Sequence, residues 1–281
     1  MSTKRRTFLQ QVALAGAAAQ TEAPAQTTGA PAGIAAPKAP AIAYPRTFTG
    51  RRLTAIAFPL GGVAAGAISL GGRGNLRDWE IFNRPDKGNA PSYALPAIWA
   101  QAGARKPVAR VLESRIQPPY EGSSGLGTKN APGLLRLAGA TFTGEFPLAH
   151  IDFADSVLPV KVALDAFTPF IPHEPDDSGL PVAILLYRVT NPGAVPARCR
   201  LRGRSTIRRG GLRPLIRASM TTVQRPILRA CTLHSPELPA TDALKGSFAL
   251  AALDPAGAEL TYLRGWQRDR WWNSPRNVKS A

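Results

Sequence analysis

The sequence predicts an all-β fold, an antiparallel β-sandwich over residues 46–275. Three observations carry that prediction. The chain of 281 residues holds 26 Gly and 27 Pro, and a proline inside a helix costs about 3 kcal/mol, which disfavours a helical bundle. Val160–Phe167 alternates, with Val160, Val162, Leu164 and Ala166 on one face and Lys161 and Asp165 on the other, the period of a half-buried strand. Finally, short apolar runs follow one another between Gly and Pro turns, and after the N-terminus no 3.6-residue apolar stripe lasts more than two turns, a pattern of sandwiches and barrels.

The elements follow in order. Residues 1–19 open with Lys4-Arg5-Arg6-Thr7-Phe8-Leu9-Gln10, continue with a short apolar run from Val12, and end in Ala17-Ala18-Ala19. A basic start, a short apolar run and small residues at its end make an export signal, and the paired arginines before Phe-Leu resemble a twin-arginine signal. The protein is therefore expected outside the cytoplasm, in the periplasm or beyond. Residues 20–45 are Ala, Pro, Thr, Gln and Gly with few large apolar side chains, too little to bury, and read as a disordered linker. No run of 18 apolar residues occurs, so no transmembrane helix is expected.

Gly61-Gly62 to Gly66 and Gly71-Gly72-Arg73-Gly74 are glycine-rich. A phosphate-binding P-loop needs Lys-Ser or Lys-Thr after its last glycine, but Ala67-Ile68 follows Gly66, and Ala67–Leu70 reads as a strand. The glycines are expected to serve tight turns and close backbone approach. Leu134–Leu137, Ala140–Phe146 and His150–Phe153 are further short strands. Val182–Val189 is a continuous apolar run closed by Asn191-Pro192-Gly193, which predicts a strand buried on both faces.

Charge is unevenly spread. The net charge is +17, and Arg198–Arg229 alone holds ten Arg with no Lys and no acid. A basic segment, rather than a basic protein, does not support nucleic-acid binding as the function. Arg198, Arg200, Arg202 and Arg204 would share one face of a strand, with like charges crowded and no partner inside the segment. One account is a shifted reading frame between residues 198 and 231. Codons for Arg198–Arg208 exist that, read two bases later, spell V-S-V-A-G-S-L-D-N-P, an alternating strand and a turn. The rivals are a functional basic loop for phosphate or anionic lipid and an inert disordered insertion.

Two Cys make neither a disulfide framework nor a zinc site, and His150, His173 and His234 are not spaced for a metal. No metal and no cofactor is expected. No Gly-x-Ser-x-Gly elbow occurs. Glu145, Asp152, Asp176 and Asp177 read as solvated loop carboxylates. Tyr262, Trp266, Trp271 and Trp272 crowd the C-terminal stretch beside Arg264, Arg268 and Arg270, where they either stack on sugars or pack against a partner.

At Ala57–Gly62 and along Ile68-Ser-Leu-Gly-Gly-Arg-Gly-Asn-Leu-Arg-Asp-Trp-Glu-Ile-Phe-Asn-Arg-Pro85 the sequence becomes specific. With Phe142–Pro147, Leu164–Pro172, Asp177–Pro181, Val189–Asn191, Gly246–Leu250 and Tyr262–Trp266, it resembles the N-terminal domain of glycoside hydrolase family 116, which includes bacterial β-glucosidases and non-lysosomal glucosylceramidases. The resemblance covers about residues 56–191 and 233–275 and fails across 198–231. It implies a β-sandwich followed by an α/α barrel that carries the nucleophilic Glu and the acid/base Asp. The chain is expected to stop before that barrel, so no residue inherits a catalytic role. Its partner would be that barrel, in cis or in trans, and possible ligands are a glycan or a glycolipid. Arg73, Asn75, Arg77, Asp78, Trp79 and Glu80 are the candidates for the rim of the substrate site or the domain interface, with an ordinary intra-domain turn as the alternative. The other functional readings are a stand-alone carbohydrate-binding module and one half of a split glycosidase. Residues 276–281 read as a tail.

Overall fold

The computed structural model describes residues 43–81, 85–88, 94–118, 120, 131, 133–204, 219–225, 228–234, 239–242, 245–253 and 259. The described residues all lie in the unit that spans residues 42–281. The export signal, most of the linker, the aromatic cluster at 262–272 and the tail at 276–281 lie outside the described residues.

The described residues are almost entirely strand. In chain order they are β1 (Arg46–Thr49), a 3-10 turn (Gly50–Ala55), β2 (Ala57–Leu60), β3 (Ala67–Gly71), β4 (Leu76–Glu80), β5 (Leu95–Ala102), β6 (Val108–Ser114), β7 (Arg136–Leu137), β8 (Gly139–Glu145), β9 (Leu148–Ala154) and β10 (Lys161–Phe167). After β10 come a one-turn helix α1 (Pro175–Ser178), β11 (Ile184–Thr190), β12 (Ala197–Arg204), β13 (Ser219–Arg225), β14 (Leu228–His234) and β15 (Ser247–Leu253). They form a five-stranded sheet ordered β1-β8-β9-β10-β11, a four-stranded sheet ordered β12-β5-β6-β7, and the three-stranded sheets β2-β3-β4 and β13-β14-β15. Pairing is antiparallel throughout except between β6 and β7.

The five-stranded sheet organises the core. Its alternate residues Phe142, Ile151, Val162, Leu164 and Ala166 are buried on one face. Part of that face packs on Phe58, Leu60 and Leu70 of β2 and β3, and part on Ile98, Ala100 and Leu112 of β5 and β6. Two layers share one apolar interior, as a sandwich requires. The period read in Val160–Phe167 is therefore the core-facing period of β10, with Lys161 exposed on the opposite face.

One expectation needs amendment. The strand over 182–189 forms as β11, but it is not buried on both faces. It lies at the edge of its sheet, so Leu185 and Tyr187 reach the core while Leu186 on the other face is exposed. Within 198–231, residues 198–204 form β12 and pair with β5 in unbroken register from Ala197↔Ala102 to Arg204↔Leu95. The missing partner for one of its arginines comes from that neighbour: the Arg200 guanidinium lies 5.4 Å from the centre of the Trp99 ring, within cation–π range. Residues 205–218 lie outside the described residues.

Candidate functional site

The six candidate residues occupy the turn from β3 to β4 and β4 itself. Gly74, at φ +92°, takes the left-handed conformation that the tight turn needs and that only glycine adopts freely. The turn is closed by the Gly71 N–H donating to the Asn75 carbonyl at 2.7 Å and the Gly74 N–H donating to the Gly71 carbonyl at 2.9 Å. Asn75 thus has a structural place in the turn. Register slips along the hairpin, with Ala67 opposite Glu80 but Ser69 opposite Arg77. That bulge inserts Asp78, whose φ of +51° is rare for a residue with a Cβ but tolerated by Asp.

The bulge turns the Asp78 carboxylate inward, where the residue is 2% exposed. Its Oδ1 accepts the Gly88 N–H at 2.6 Å, and Arg77 Nε lies 3.2 Å from its Oδ2. Burial works against this charge, but the Gly88 N–H, the Arg77 guanidinium and the Ser69 hydroxyl outweigh it and hold the carboxyl below its ordinary range. Glu80 accepts the Asp86 N–H at 3.2 Å and pairs with Lys87 at 2.6 Å. The hydrogen bond from Lys87 comes first among the causes that lower its pKa. Asp78 and Glu80 thus both tie β4 to the segment at 85–88.

Trp79 is 8% exposed and packs on Phe248 of β15, with ring centroids 5.6 Å apart. Among the described residues its indole N–H has no acceptor, and the Arg77 Nε–H, although close to Asp78, is not aligned for a hydrogen bond. Arg73 turns the other way. Its Nη1 donates to the Ser114 carbonyl at 3.0 Å and reaches Glu113 at 3.4 Å. Arg136 Nε donates to the same Glu113 oxygen at 3.0 Å. Burial pushes the Arg73 guanidinium below its ordinary pKa, and Glu113 pulls it part of the way back.

The structure therefore brings Arg77, Asp78 and Glu80 together with residues 86–88, sends Trp79 to β15 and sends Arg73 to β6. Glu113, Arg136 and Ser114 were not among the sequence candidates. One signal could have found Glu113: it is a lone acid in the strand Val108–Ser114, and a carboxylate in a buried strand needs a cation. A second group absent from the prediction ties the β2–β3 loop to the stretch after β10. The Gly61 N–H donates to Thr168 Oγ1 at 2.6 Å, and that hydroxyl donates to the Val182 carbonyl at 3.1 Å. The Val63 N–H donates to the Ser178 carbonyl at 2.8 Å. Gly62 lies against the backbone of Gly179 and Leu180, where any Cβ would collide. The close-approach role expected of these glycines is met here.

The carboxylates read from the sequence as solvated loop groups, Glu145, Asp152, Asp176 and Asp177, are exposed, but they are not in loops: Glu145 ends β8, Asp152 lies in β9, and Asp176 and Asp177 lie in α1. His150, from β9, lies between Asp165 Oδ1 at 2.5 Å and Asp152 Oδ1 at 3.2 Å, and Arg188 reaches the other Asp165 oxygen at 2.9 Å. The hydrogen bond with Asp165 raises the His150 pKa, partly opposed by burial. Asp155 accepts from Arg110 at 2.9 Å and from the N–H groups of Val157 and Leu158. Burial opposes its charge, but those donors prevail and hold it low. Among the described residues no group of three or more His, Cys, Asp or Glu is placed to hold a metal, and no helix is long and apolar enough to cross a membrane.

A family model described as beta-glucosidase 2, glycosyl-hydrolase family 116 N-term matches residues 57–277. No curated protein matches the chain.

Proposed function

The chain belongs to the family of glycosyl hydrolase family 116 N-terminal domains, and from that premise we propose that it is the exported, non-catalytic β-domain of a glucosidase or glucosylceramidase-like glycoside hydrolase. A catalytic α/α barrel completes it, either in the same polypeptide or as a separate one. The intact enzyme acts on a β-glucoside of a glycan or glycolipid.

One observation from the carboxylates supports the non-catalytic part. Retaining glycoside hydrolysis needs a carboxylic acid kept protonated beside a second, ionised carboxylate. Asp78, Glu80 and Asp155 are all displaced in the opposite direction, held low by N–H donors and cations, so none of the three suits the protonated-acid role. These groups act as structural anions. The domain-interface role proposed for β4 would use Arg77 and Glu80, whose side chains stay partly exposed.

The test is an aryl β-glucoside assay on the purified chain, alone and co-expressed with a polypeptide that supplies a family 116 barrel. The expected result is no turnover alone and turnover with the barrel. Turnover by the chain alone, proportional to its concentration through successive purification steps, would overturn the reading.

A further inference from the structure

We propose that the cavity beside Arg73 is a binding site for a small oxyanion, a phosphate or carboxylate group. The proposal rests on the geometry of this wall and does not depend on family membership.

The cavity, about 50 Å³, lies where the 3-10 turn, the β3–β4 turn and the end of β6 meet, and Gly50, Thr54, Arg73, Ser114, Arg115 and Gln117 are among its lining residues. That volume holds a few waters or one tetrahedral oxyanion. Two arginines, Arg73 and Arg115, are among the lining residues, and no Asp or Glu is. Glu113, which pairs with Arg73, is not part of the wall.

The donors on the wall are the decisive feature. Both bonds from Arg73 to the protein run through Nη1. Its Nε and Nη2 have no protein acceptor among the described residues, yet neither is a sealed, unsatisfied atom. The side chain is 13% exposed, so part of it reaches solvent while Nη1 is held by the protein. A planar guanidinium offers paired N–H groups at the spacing of two oxyanion oxygens, and fixing it beforehand reduces the entropy lost on binding. Arg115 makes no side-chain bond among the described residues, and its backbone is held by its N–H donating to the Leu137 carbonyl at 2.9 Å. Gln117, also among the lining residues, makes no side-chain bond among the described residues, and its amide would be a neutral donor there. The burial of Arg73 raises the stakes. A guanidinium removed from water interacts more strongly with an anion that enters than an exposed one does.

The probe is inorganic phosphate, titrated calorimetrically into the full chain against sodium chloride of matched ionic strength, with sodium acetate as the carboxylate arm. Arg115→Gln removes one cation without touching a structural bond. Arg73→Lys keeps the charge and loses the fork. Arg198→Gln, on β12, controls for net charge. The expected result is saturable phosphate binding that Arg115→Gln and Arg73→Lys each weaken about tenfold, the worth of one charge-assisted hydrogen bond, while Arg198→Gln leaves it unchanged. Binding of phosphate alone assigns the site to a tetrahedral dianion, and binding of acetate as well assigns it to oxyanions generally. Equal affinity in the wild type and Arg115→Gln, or a signal that disappears against matched chloride, overturns the proposal.

Discussion

Strands β10 and β12 have similar lengths and the same antiparallel pairing, yet they make opposite use of the two-residue period. In β10 the repeat separates an apolar face from a polar one, and Val162, Leu164 and Ala166 lie in the core. In β12 the repeat separates Arg198, Arg200 and Arg202 from Ala197, Cys199, Leu201 and Gly203. β10 has neighbours on both sides, whereas β12 lies at the edge of the four-stranded sheet. Leu201, on the side away from the arginines, is 51% exposed. Alternation therefore sets which side chains share a face, and burial depends on whether another layer covers that face. The polar faces differ as well. On the outer face around β10, Asp165 takes His150 from one neighbouring strand and Arg188 from the other, so opposite charges alternate across strands. Along β12 no acid stands between the arginines in sequence, and Trp99 of β5 carries Arg200.

The largest test of that contrast is one substitution made in both strands. Leu164→Ala removes a fully buried side chain and should cost about 2–5 kcal/mol by urea unfolding. Leu201→Ala should stay within about 0.5 kcal/mol of wild type, as exposed substitutions do. Equal losses would mean that β12 is covered in solution, and that the exposed side of β12 is an interface.

A smaller effect separates the two polar faces. His150 has a raised pKa, first through its hydrogen bond with Asp165. A group whose folded pKa lies above its unfolded value stabilises the fold fully below the unfolded value, about pH 6.5, and loses that contribution as pH rises through the folded pKa. Stability should fall over that window in the wild type and be flatter in Asp165→Asn, as measured by urea midpoints at stepped pH. The pair is partly exposed, so the difference should be well under about 1 kcal/mol. An equally steep fall in Asp165→Asn would remove this network as the cause.

Much of this was legible in the sequence. Val160–Phe167 declared its core face, because alternation with β-branched and small residues has one geometric meaning in a half-buried strand. The glycine-rich stretch read as turns and close approach, and Gly62 against Gly179 bears that out. The layer around each strand was not legible. The apolar run at 182–189 gave no sign that β11 would be an edge strand, since edge position depends on which strands pair and not on the run itself. The candidate residues Arg73–Glu80 were chosen from a contiguous motif, but the bulge at Asp78 splits them among three neighbourhoods. Their partners Glu113 and Gly88 are distant in sequence or lie beyond a loop, and no local pattern names them.

The smallest prediction tests the charge argument on β12 without disturbing its packing. Arg198 is exposed and makes no side-chain bond among the described residues. Its same-face neighbour Arg200 lies two positions on, roughly 7 Å along the strand. At that distance like charges cost about 0.6 kcal/mol in water before salt, and screening at physiological ionic strength reduces this to a few tenths. Arg198→Glu replaces the repulsion with an attraction of similar size, so the thermal midpoint should rise by about 1–2 °C at low salt and the gain should vanish near 1 M NaCl. Arg198→Gln should give about half the gain. A rise that survives 1 M salt would mean that strand propensity or packing, rather than charge, made the difference. A fall would mean that an anionic partner holds Arg198 and that charge repulsion does not govern this face.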